Sequence, residues 1–547
     1  MNLTEKQQIG SKKVMPFTIP SGIITTEISC LERIARKIQE LGILTTKSVG
    51  PEPRAGNREP ILAQYIPGGF MNAVGLTNLG AEEFAKKLSA ITFPKDKFLL
   101  ASIFGKDESE FVYVAKILKK YVDGFELNLS CPHTKGYGVQ LGQDKEAVRK
   151  ITRAVVGSVN KPVFVKLTPN VPNIGEIAKS AVASGAYGIV AINTVGPGYY
   201  SVDGFPVLTN KVGGLSGIGI TPIGLKCVRE VRQAIGENIP IIGMGGIRNA
   251  VDVEAYAAAG ANFFGVGSAL AGMNEAEIKS YFSALAEDLN NNSRTSKAET
   301  LLKQVNMQYR KVRIDERVDS ACDFKIIRTN ETMNAEPGQF IFAWIPGIGE
   351  KPLSILDDRP LTLAVLEKGE FTRKLNSLKK GDCFYIRGPY GKKLNVNFNL
   401  DTVLVGGGCG IAGLTLIARR ASKRLHNKRL VILLGAKDKN HLPYLKVFEE
   451  HGEVLVATED GSLGLKGKIT DLFEKAKLSK ECYFFNCGSE AMINAVLPLE
   501  VQISRPESIY SSLDYMTRCG IGLCGSCATK DGRRLCVDGP FLPETNN

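Results

Sequence analysis

The stretch Gly124-Phe-Glu-Leu-Asn-Leu-Ser-Cys-Pro-His133 decides the fold of the first half of this 547-residue chain. Residues 125–129 form an apolar run of the β type, which ends abruptly because Pro132 can continue neither a helix nor a central strand. Cys131 therefore lies on a loop at the end of a buried strand. A cysteine in such a run is often an inert core residue. If the strand belongs to a parallel barrel, however, its carboxyl end is where the active site is built.

Eight short apolar runs alternate with helical patterns over the first 285 residues. Apolar runs bounded by turn residues predict strands, and apolar residues spaced three or four apart predict helices. The predicted strands are 15–20, 43–48, 98–103, 125–129, 163–167, 189–193, 239–244 and 263–267. Eight strands with intervening helices predict an α/β fold of the (β/α)8, or TIM, barrel type over residues 1–285.

Polar residues and glycines follow most of these strands, at the end where a parallel barrel carries its active site. In chain order they are Lys47, Ser48, Asn128, Cys131, Lys166, Asn193, Thr194, Gly245, Gly246, Gly267 and Ser268. Glycines after the last two strands allow backbone amides to approach an anion. The pattern predicts a cofactor with a phosphate tail, whose reactive ring lies near Lys47, Asn128 and Lys166. For Lys166 a second interpretation stays open, because a buried lysine can also pair with a carboxylate.

Six ordered motifs, which span essentially all of residues 15–270, resemble those of class 1 dihydroorotate dehydrogenases. They are Asn72-Ala-Val-Gly-Leu-Thr-Asn78, Asn128-Leu-Ser-Cys-Pro132, Lys166-Leu-Thr-Pro-Asn-Val171, Ile192-Asn-Thr194, Gly213-Gly-Leu-Ser-Gly217 and Ile241-Ile-Gly-Met-Gly-Gly246. The resemblance implies FMN in the barrel. The residues implied to hold it are Ser21, Lys47, Ser48, Asn128, Lys166, Ile192, Gly217, Gly245, Gly246, Gly267 and Ser268.

The resemblance also implies roles in catalysis and substrate binding. In that family the cysteine matching Cys131 removes a proton from C5 of dihydroorotate while a hydride leaves C6 for the flavin. The lysine matching Lys47 lies beside flavin and substrate, and the one matching Lys166 lies beside the flavin ring. The residues implied to hold the pyrimidine and its carboxylate are Asn72, Asn128, Asn193 and Thr194 by their side chains, and Val74, Gly75 and Leu76 by their backbone.

His133 departs from the class 1 pattern, in which asparagine usually follows Cys-Pro. With Gly142-Gln-Asp144 it resembles instead the dihydropyrimidine dehydrogenases, which reduce uracil and thymine. The backbone of residues 74–76 favours dihydroorotate, because a carboxylate is what separates orotate from uracil. His133 thus stays a candidate substrate-binding residue in a second enzyme hypothesis. A third hypothesis, a redox scaffold without turnover, is disfavoured by the complete set of polar residues at the strand ends.

The second half of the chain changes character after residues 286–308, a polar, turn-rich stretch that predicts a connector. Short strands with close turn signals then predict a small antiparallel β-barrel at 309–398. Next, an apolar strand runs into Gly406-Gly-Gly-Cys-Gly-Ile-Ala-Gly-Leu414. A glycine-rich turn between a strand and a helix can hold a dinucleotide pyrophosphate. Further apolar runs predict an open α/β domain at 399–505.

The last predicted domain, 506–547, carries four closely spaced cysteines, Cys519, Cys524, Cys527 and Cys536. Gaps of four, two and eight residues, rich in glycine, are those of a plant-type [2Fe-2S] site with a shortened final gap. Four thiolates can also bind zinc, but the first two gaps argue against it. The spacing predicts an iron–sulfur cluster.

Residues 308–540 resemble the electron-transfer subunit of class 1B dihydroorotate dehydrogenases, a ferredoxin-reductase-like flavoprotein that carries FAD. Class 1B enzymes keep this part on a separate chain, whereas here the two parts look fused. The implied FAD contacts are Lys351, Pro352, Leu353, Ser354, Gly369 and Thr372, with Lys351 where relatives often have arginine. The implied NAD contacts are Gly407, Gly408, Gly410, Cys487 and Gly488. The implied electron path runs from dihydroorotate to FMN, the [2Fe-2S] centre, FAD and finally NAD+, in pyrimidine (UMP) synthesis.

The net charge of +13 raises the question of nucleic-acid binding, but lysine and arginine are scattered and form no basic block interleaved with aromatics. We therefore expect no nucleic-acid partner. A polar amino-terminal start and the lack of a membrane-length apolar run predict a cytoplasmic protein with reduced thiols and no membrane partner. The resemblance implies a homodimer through the barrel. Lys437 and Lys439 follow a strand end where a 2′-phosphate could bind, so NADP stays an alternative to NAD.

Replacing Cys131 with serine tests the proposed base. An unperturbed thiol has a pKa of about 8.5, so activity is expected to rise toward alkaline pH unless the site lowers that pKa. Cys131→Ser is expected to slow flavin reduction by roughly 10²–10⁴-fold without loss of FMN. Stopped-flow bleaching under anaerobic conditions measures this rate, and an unchanged rate would remove Cys131 from the mechanism.

Overall fold

The structure, a computed structural model, describes residues 3–129, 139–291, 296–321, 324–425, 428–513 and 515–545. The chain forms two compact units. The first consists of Met1–Met307 and Ile521–Arg534, and the second of Gln308–Gly520 and Leu535–Asn547. A short segment near the carboxyl terminus thus belongs to the same unit as the amino-terminal half.

The first unit is built on a closed barrel of eight parallel strands. They are Phe17–Ile19, Leu41–Thr45, Phe98–Ile103, Gly124–Asn128, Val163–Leu167, Gly188–Ala191, Ile241–Met244 and Phe263–Gly265. Each strand pairs with the next along the chain, and the eighth closes on the first. The predicted (β/α)8 barrel is therefore confirmed, with every predicted strand present.

Helices surround this barrel because each has one apolar face that packs inward. They are Ile28–Lys37, Ala81–Ser89, Glu108–Leu118, Val139–Gln143, Lys145–Ser158, Ile174–Ala183, Thr221–Ile235, Ala250–Ala258, Glu275–Asn290 and Lys297–Thr300, with 3₁₀ turns at Ile218–Ile220 and Ser268–Leu270. Several begin at an Asp or Asn whose side chain accepts a hydrogen bond from the first turn, for example Asp107, Asn173 and Asn274. These caps fix where the loops end and the helices begin.

The two ends of the barrel are built differently. At the amino-terminal end a hairpin of Gln7–Ile9 and Lys12–Val14 inserts Ile9 and Val14 into the buried core with Phe98. At the carboxyl-terminal end stands a four-stranded antiparallel sheet of Leu62–Ile66, Gly69–Asn72, Val195–Tyr199 and Val212–Gly217. Two-stranded pairs are formed by Pro53–Arg54 with Asn78–Leu79 and by Ser201–Val202 with Phe205–Pro206. The hairpin fills one end with apolar side chains, and the sheet shapes the other.

The described part of the predicted connector at 286–308 packs against the barrel, and the boundary between the two units follows Met307, within the predicted range. Helix Glu275–Asn290 runs through its start, and the Gln64 side chain bonds both the carbonyl of Val305 and the amide of Met307, each at 3.0 Å. Some of its polar groups bond one another. The buried Asp288 carboxylate accepts from the Ser296 hydroxyl and from two backbone amides.

The second unit begins with a closed antiparallel barrel of six strands, as predicted. They are Arg310–Ala321, Phe324–Thr329, Phe340–Ile345, Gly349–Asp358, Leu361–Leu366 and Cys383–Tyr390, with the helix Glu370–Ser377 between the last two. A core that includes Ile314, Ile341 and Phe384 fills the barrel.

A seven-stranded sheet, six of whose strands run parallel, completes this unit. In spatial order the strands are Leu465–Lys466, Glu453–Thr458, Leu430–Ala436, Asp401–Gly407, Cys482–Cys487, Ile509–Ser512 and the antiparallel Leu542–Pro543. Its helices are Thr415–Arg424, Leu445–Glu449, Leu472–Lys475, Glu490–Glu500 and Leu535–Asp538, with 3₁₀ turns at Gly408–Leu414, Lys439–His441, Ile469–Asp471 and Pro506–Ser508. The predicted separate domain at 506–547 is thus divided, since two of its segments extend this sheet and Ile521–Arg534 joins the first unit.

No helix in the described part of the chain is both long and apolar enough to span a bilayer.

A buried ion pair joins two strands of the six-stranded barrel. The Arg387 guanidinium donates to both carboxylate oxygens of Glu350, at 2.6 and 2.7 Å, and to the carbonyl of Cys519 at 2.9 Å. The Tyr309 hydroxyl donates to the same carboxylate at 2.6 Å. Burial alone would lower the pKa of the Arg387 guanidinium, but the Glu350 carboxylate outweighs it and holds that pKa well above its usual value. Arg387 therefore stays charged inside the barrel.

Glu350→Gln is expected to lower the free energy of unfolding of this barrel by roughly 3–5 kcal/mol, because it leaves a buried guanidinium without its counter-charge. The matched control is Glu316→Gln, which removes the exposed partner of Arg328 in the same barrel and should cost less than about 1 kcal/mol. Trp344, the single tryptophan of the chain, is buried beside Tyr309 and reports the unfolding by fluorescence in urea. Equal midpoints for the two variants would contradict the role of the pair.

Candidate functional site

A cavity lies at the carboxyl ends of the barrel strands. Its volume is about 220 Å3, and it opens to solvent on one side. All of the barrel residues predicted for cofactor or substrate that the structure describes line it. They are Ser21, Lys47, Ser48, Asn72, Val74, Gly75, Leu76, Asn128, Lys166, Ile192, Asn193, Thr194, Gly217, Gly245, Gly246, Gly267 and Ser268.

Hydroxyl and amide side chains along the cavity floor are hydrogen-bonded to one another. The Ser48 hydroxyl lies 3.2 Å from that of Ser21 and 2.9 Å from that of Ser102. The Asn128 amide donates to Ser48 Oγ at 2.9 Å and accepts from the Asn193 amide at 3.4 Å. Strand ends far apart in sequence thus hold these groups in fixed orientations before any ligand binds.

Two lysines and one carboxylate set the charge of the cavity. Lys166 Nζ lies 3.6 Å from Glu126 Oε1, and both side chains are buried. The carboxylate pairing left open for Lys166 is therefore present, although Lys166 also lines the cavity. Lys47 comes from the end of the second strand and lies against Gly22, where an added Cβ would be 3.2 Å from its Nζ. The ammonium groups of Lys47 and Lys166 place positive charge where a group that gains negative charge could lie.

Glycines form a cradle on the opposite wall. Gly217 and Gly246 have φ values of 90° and 86°, and a Cβ on Gly246 would come within 2.1 Å of Thr221 Oγ1. Helix Thr221–Ile235 begins beside them, so its amino-terminal end adds partial positive charge. Backbone amides at glycines beside a helix start are what a phosphate requires. The residues present therefore fit the phosphate of FMN.

The Asn72 segment forms the outer wall of the cavity. Strand Gly69–Asn72 pairs with Val212–Gly217, and the Asn72 amide donates to the carbonyl of Gly214 at 3.3 Å. The chain then turns through Gly75 and Leu76, with φ values of 80° and 57°. A positive φ at a non-glycine residue such as Leu76 is uncommon overall, and the cases that occur cluster at ligand-binding and active sites.

Cys131, the predicted base, and His133, the residue behind the alternative substrate hypothesis, both fall in 130–138, outside the described residues.

One wall of the cavity comes from a segment that the sequence did not place there. Leu523 and Cys524 line it together with Ser21 and Ile23. The Ile24 amide donates to the carbonyl of Leu523 at 2.6 Å, and the Thr26 hydroxyl donates to that of Cys524 at 2.5 Å. About 500 residues separate these partners in sequence, so no local pattern could reveal the contact.

The four predicted cluster ligands are divided between the two units. Cys524 and Cys527 belong to the first unit, and Cys519 and Cys536 to the second. Cys519, Cys527 and Cys536 are buried, while Cys524 is partly exposed. Within the described ranges, no group of three or more His, Cys, Asp or Glu side chains is arranged to hold a metal ion. The chemistry of four thiols in one short glycine-rich segment still matches an iron–sulfur cluster better than any other group.

The predicted FAD and NAD segments of the second unit meet at the carboxyl ends of two neighbouring inner strands of its sheet, Asp401–Gly407 and Cys482–Cys487. A Cβ on Gly413 would lie 3.2 Å from Cys487 Sγ and 3.8 Å from Ser354 Oγ, so these two side chains flank one backbone turn. Gly410 packs so closely that a Cβ would lie 2.3 Å from the carbonyl of Cys487. The turn itself, Gly408–Leu414, is a 3₁₀ helix that carries Gly408, and the predicted α-helix begins only at Thr415. Gly407 ends the preceding strand, and Gly488 follows Cys487.

The other predicted FAD contacts occupy two places in the same unit. Lys351, Pro352 and Leu353 lie on strand Gly349–Asp358 beside Ser354. Gly369 and Thr372 lie at the start of helix Glu370–Ser377. There the Thr372 hydroxyl accepts from the amides of Lys368 and Gly369 at 2.9 and 3.0 Å, which orders the turn.

Comparison with known proteins gives two family matches. Residues 5–289 match the model "Dihydroorotate dehydrogenase", and residues 514–545 match "Iron-sulfur cluster binding domain of dihydroorotate dehydrogenase B".

Two curated relatives are named "Dihydroorotate dehydrogenase B (NAD(+)), catalytic subunit". The one from Methanocaldococcus jannaschii is 42% identical over 257 residues, which cover 46% of this chain and 82% of the relative. The one from Pyrococcus abyssi is 39% identical over 274 residues, which cover 49% of this chain and 88% of the relative. A solved NADH-dependent reduced ferredoxin-NADP oxidoreductase, at 28% identity, covers 42% of this chain and 87% of its own with a TM-score of 0.39, too low to support a conclusion.

Gly246→Ala tests the phosphate cradle. The added methyl would collide with Thr221 Oγ1 and displace the backbone that a phosphate needs, so the purified variant is expected to retain less than about half of its FMN. The matched control is Gly204→Ala, which carries a similar φ of 81° but has open space around the added methyl. Its backbone strain should cost about the same free energy, on the order of 1 kcal/mol. Acid-released flavin, separated as FMN and FAD, measures the outcome, and equal FMN content in both variants would contradict the assignment.

Proposed function

The chain belongs to the dihydroorotate dehydrogenase family, whose model matches just over half of its length, and on this basis we propose that it oxidises dihydroorotate to orotate with NAD+ as the final acceptor. The observation that carries the proposal is the single cavity at the barrel mouth, which collects the described residues predicted for FMN and pyrimidine and includes Cys524 in its wall. FMN, FAD and a [2Fe-2S] cluster are the cofactors of this family type. When bound, they supply a hydride acceptor and carriers of single electrons.

The amide side chains of the cavity are suited to a pyrimidine ring. Asn72, Asn128 and Asn193 each offer a donor and an acceptor, which is the alternation of N–H and C=O groups around such a ring. Their bonds to Gly214, Ser48 and one another hold those groups in place. Thr194 adds a hydroxyl, and its own amide donates to Asn193 Oδ1 at 2.8 Å. These residues would bind and orient the ring above the cavity floor.

Recognition of the carboxylate favours dihydroorotate over a dihydropyrimidine. The turn through Val74, Gly75 and Leu76 presents backbone at the cavity edge, where amides can receive an anion. The Asn57 amide donates to the carbonyl of Val74 at 3.0 Å, and the Asn57 side chain donates to that of Ala73 at 3.0 Å, which fixes the turn. Uracil-type substrates lack the group that this turn would hold. The names of the curated relatives also favour dihydroorotate.

In the proposed reaction Cys131 would accept a proton from the substrate, and the two lysines would stabilise negative charge. Cys131 is the proposed base that takes the proton from C5 of the substrate. The Lys47 and Lys166 ammonium groups would stabilise the negative charge that develops as the hydride leaves C6, since fixed charges in a low-dielectric site act strongly. The buried Glu126 carboxylate, 3.6 Å from Lys166 Nζ, would hold the ammonium group in its orientation.

The second unit would carry the electrons onward. We assign FAD to the six-stranded barrel of 309–398, through Lys351–Ser354 and Gly369–Thr372, and NAD+ to the α/β domain of 399–505. Gly407, Gly408 and Gly410 would hold the pyrophosphate, with Cys487 and Gly488 beside the nicotinamide. The proximity of Ser354 to Cys487 around Gly413 supports a flavin next to a nicotinamide. A homodimer through the barrel and a cytoplasmic location belong to the same proposal.

The function is tested by adding dihydroorotate, and separately dihydrouracil, to the purified chain under anaerobic conditions and then supplying NAD+. Flavin absorbance should bleach with dihydroorotate alone, and NADH should appear at 340 nm afterwards. Bleaching with dihydrouracil alone would contradict the proposal and make His133 the residue that defines the substrate. NADP+ in place of NAD+ serves as the control for the final acceptor.

Cys524→Ser tests the relay. Because Cys524 is a proposed cluster ligand, the variant should bleach its FMN with dihydroorotate at the normal rate but form NADH at less than about a hundredth of the unmodified rate. Cys227→Ser is the control, since Cys227 is a buried core thiol whose pKa burial raises to about 11. NADH formation at the normal rate in Cys524→Ser would rule out the cluster as an obligate relay.

A further inference from the structure

The segment Ile521–Arg534, hereafter the cysteine loop, is hydrogen-bonded to the barrel at both of its ends. At its start the Gly272 amide donates to the carbonyl of Ile521 at 2.8 Å. At its end the Arg534 guanidinium donates to the carbonyl of Met273 at 2.8 Å. Gly272 and Met273 are adjacent and belong to the loop after the eighth barrel strand. The two ends of the cysteine loop are therefore held at one place on the barrel.

The middle of the cysteine loop is pinned at a second place. The Ile24 amide and the Thr26 hydroxyl donate to the carbonyls of Leu523 and Cys524. A Cβ on Gly525 would lie 2.2 Å from the carbonyl of Ile24, so the two backbones are in close contact. This second anchor is the loop after the first barrel strand. Both anchoring loops carry cavity-lining residues, Ser21 and Gly267 among them.

Arg534 connects the two anchors through the loop itself. One Nη of its guanidinium donates to the carbonyl of Gly522 inside the cysteine loop at 2.6 Å, and the other donates to Met273 on the barrel. The side chain is almost fully buried, at 1% exposure. A planar guanidinium with several fixed donors can bridge two carbonyls on different segments, whereas a lysine ammonium acts as a point charge. Burying such a group is costly unless its donors are satisfied.

We propose that Arg534 is a positioning residue that fixes the cysteine loop, and with it Cys524, against the flavin cavity, and so sets the rate at which electrons leave the barrel. This inference rests on the proposed function. Each dihydroorotate oxidised gives up two electrons and two protons. The two electrons reach NAD+ together with one of the protons to form NADH, and the second proton is released. Arg534 changes neither the substrate nor this balance; it controls the distance over which the electrons must pass.

A second set of contacts holds residues 529–533 of the cysteine loop. Arg33 on the first barrel helix pairs with Glu275 and donates to the carbonyl of Asp531 at 3.2 Å. The Ser29 hydroxyl donates to the carbonyl of Thr529 at 2.8 Å. Arg533 bonds Asp531 within the loop at 2.6 Å. Removal of Arg534 alone should therefore loosen residues 521–524 while the remainder of the loop stays attached.

The test compares Arg534→Met with Arg533→Met in the full chain, at matched FMN, FAD and iron content. Arg533→Met removes a neighbouring guanidinium of the same loop, whose Nε donates to the Asp531 carboxylate at 2.6 Å, and so controls for lost charge. Dihydroorotate is added anaerobically without NAD+, flavin bleaching is followed optically, and the reduced cluster is followed by freeze-quench EPR. Hydrogen exchange at the amides of Ile24 and Gly272, which donate to the cysteine loop, reports its attachment.

Arg534→Met is expected to bleach its FMN at the unmodified rate with an unchanged KM, and to reduce its cluster several-fold more slowly, because the electrons must pass over a longer distance. Exchange at Ile24 and Gly272 should rise in parallel. Arg533→Met should match the unmodified chain in all of these, and Arg534→Lys should recover the rate only in part.

Normal cluster reduction in Arg534→Met, or unchanged exchange at both amides, would overturn the inference. If Arg534→Met loses iron, Thr26→Val takes its place as the test variant, because the Thr26 hydroxyl donates to the carbonyl of Cys524. Thr26→Val should slow cluster reduction while FMN bleaching stays at the unmodified rate. An unaffected rate of cluster reduction in Thr26→Val would again overturn the inference. Failure of dihydroorotate to bleach the unmodified chain would instead refute the proposed function.

Discussion

Closure of the parallel barrel is the constraint on which the rest of this structure depends. Parallel pairing around a closed ring brings the carboxyl ends of all eight strands to one rim, so residues as distant as Ser48, Asn128 and Asn193 become neighbours. The hairpin with Ile9 and Val14 fills the opposite end with apolar side chains. Backbone hydrogen bonds fix the strand register, and the register fixes which side chains point into the cavity. The chemistry of the site is therefore a consequence of strand pairing.

Charge is used differently in the two units. In the barrel, Lys47 and Lys166 line an open cavity, and Lys166 pairs with the buried Glu126. In the second unit, Glu350 and Arg387 neutralise each other inside a closed barrel and hold the carbonyl of Cys519. The first arrangement faces the cavity proposed for flavin and substrate, whereas the second orders the backbone at a proposed cluster ligand. Joining both units in one chain also raises the effective concentration of each redox partner for the other.

Sequence periodicity predicted the two barrels and the open sheet because each strand is marked locally by its own apolar run and its own turn residues. The residues at the strand ends could be assigned for the same reason, and Ser48, Asn128 and Gly246 all line the predicted cavity. What could not be predicted depends on contacts between distant segments. The hydrogen bond between Asp288 and Ser296 joins residues of one polar stretch through its fold, and the pairing of Lys166 with Glu126 needs two adjacent strands. The attachment of residues 521–534 to the barrel joins positions about 500 residues apart, for which no local signal exists.

Electrons released in the barrel cavity are proposed to pass to the cysteine segment in its wall. EPR of the anaerobic chain after one equivalent of dihydroorotate, with NAD+ left out, tests this step most directly. We expect the signal of a reduced [2Fe-2S] cluster, which disappears when NAD+ is added and NADH forms. A bleached flavin with no cluster signal, followed by normal NADH formation, would contradict it.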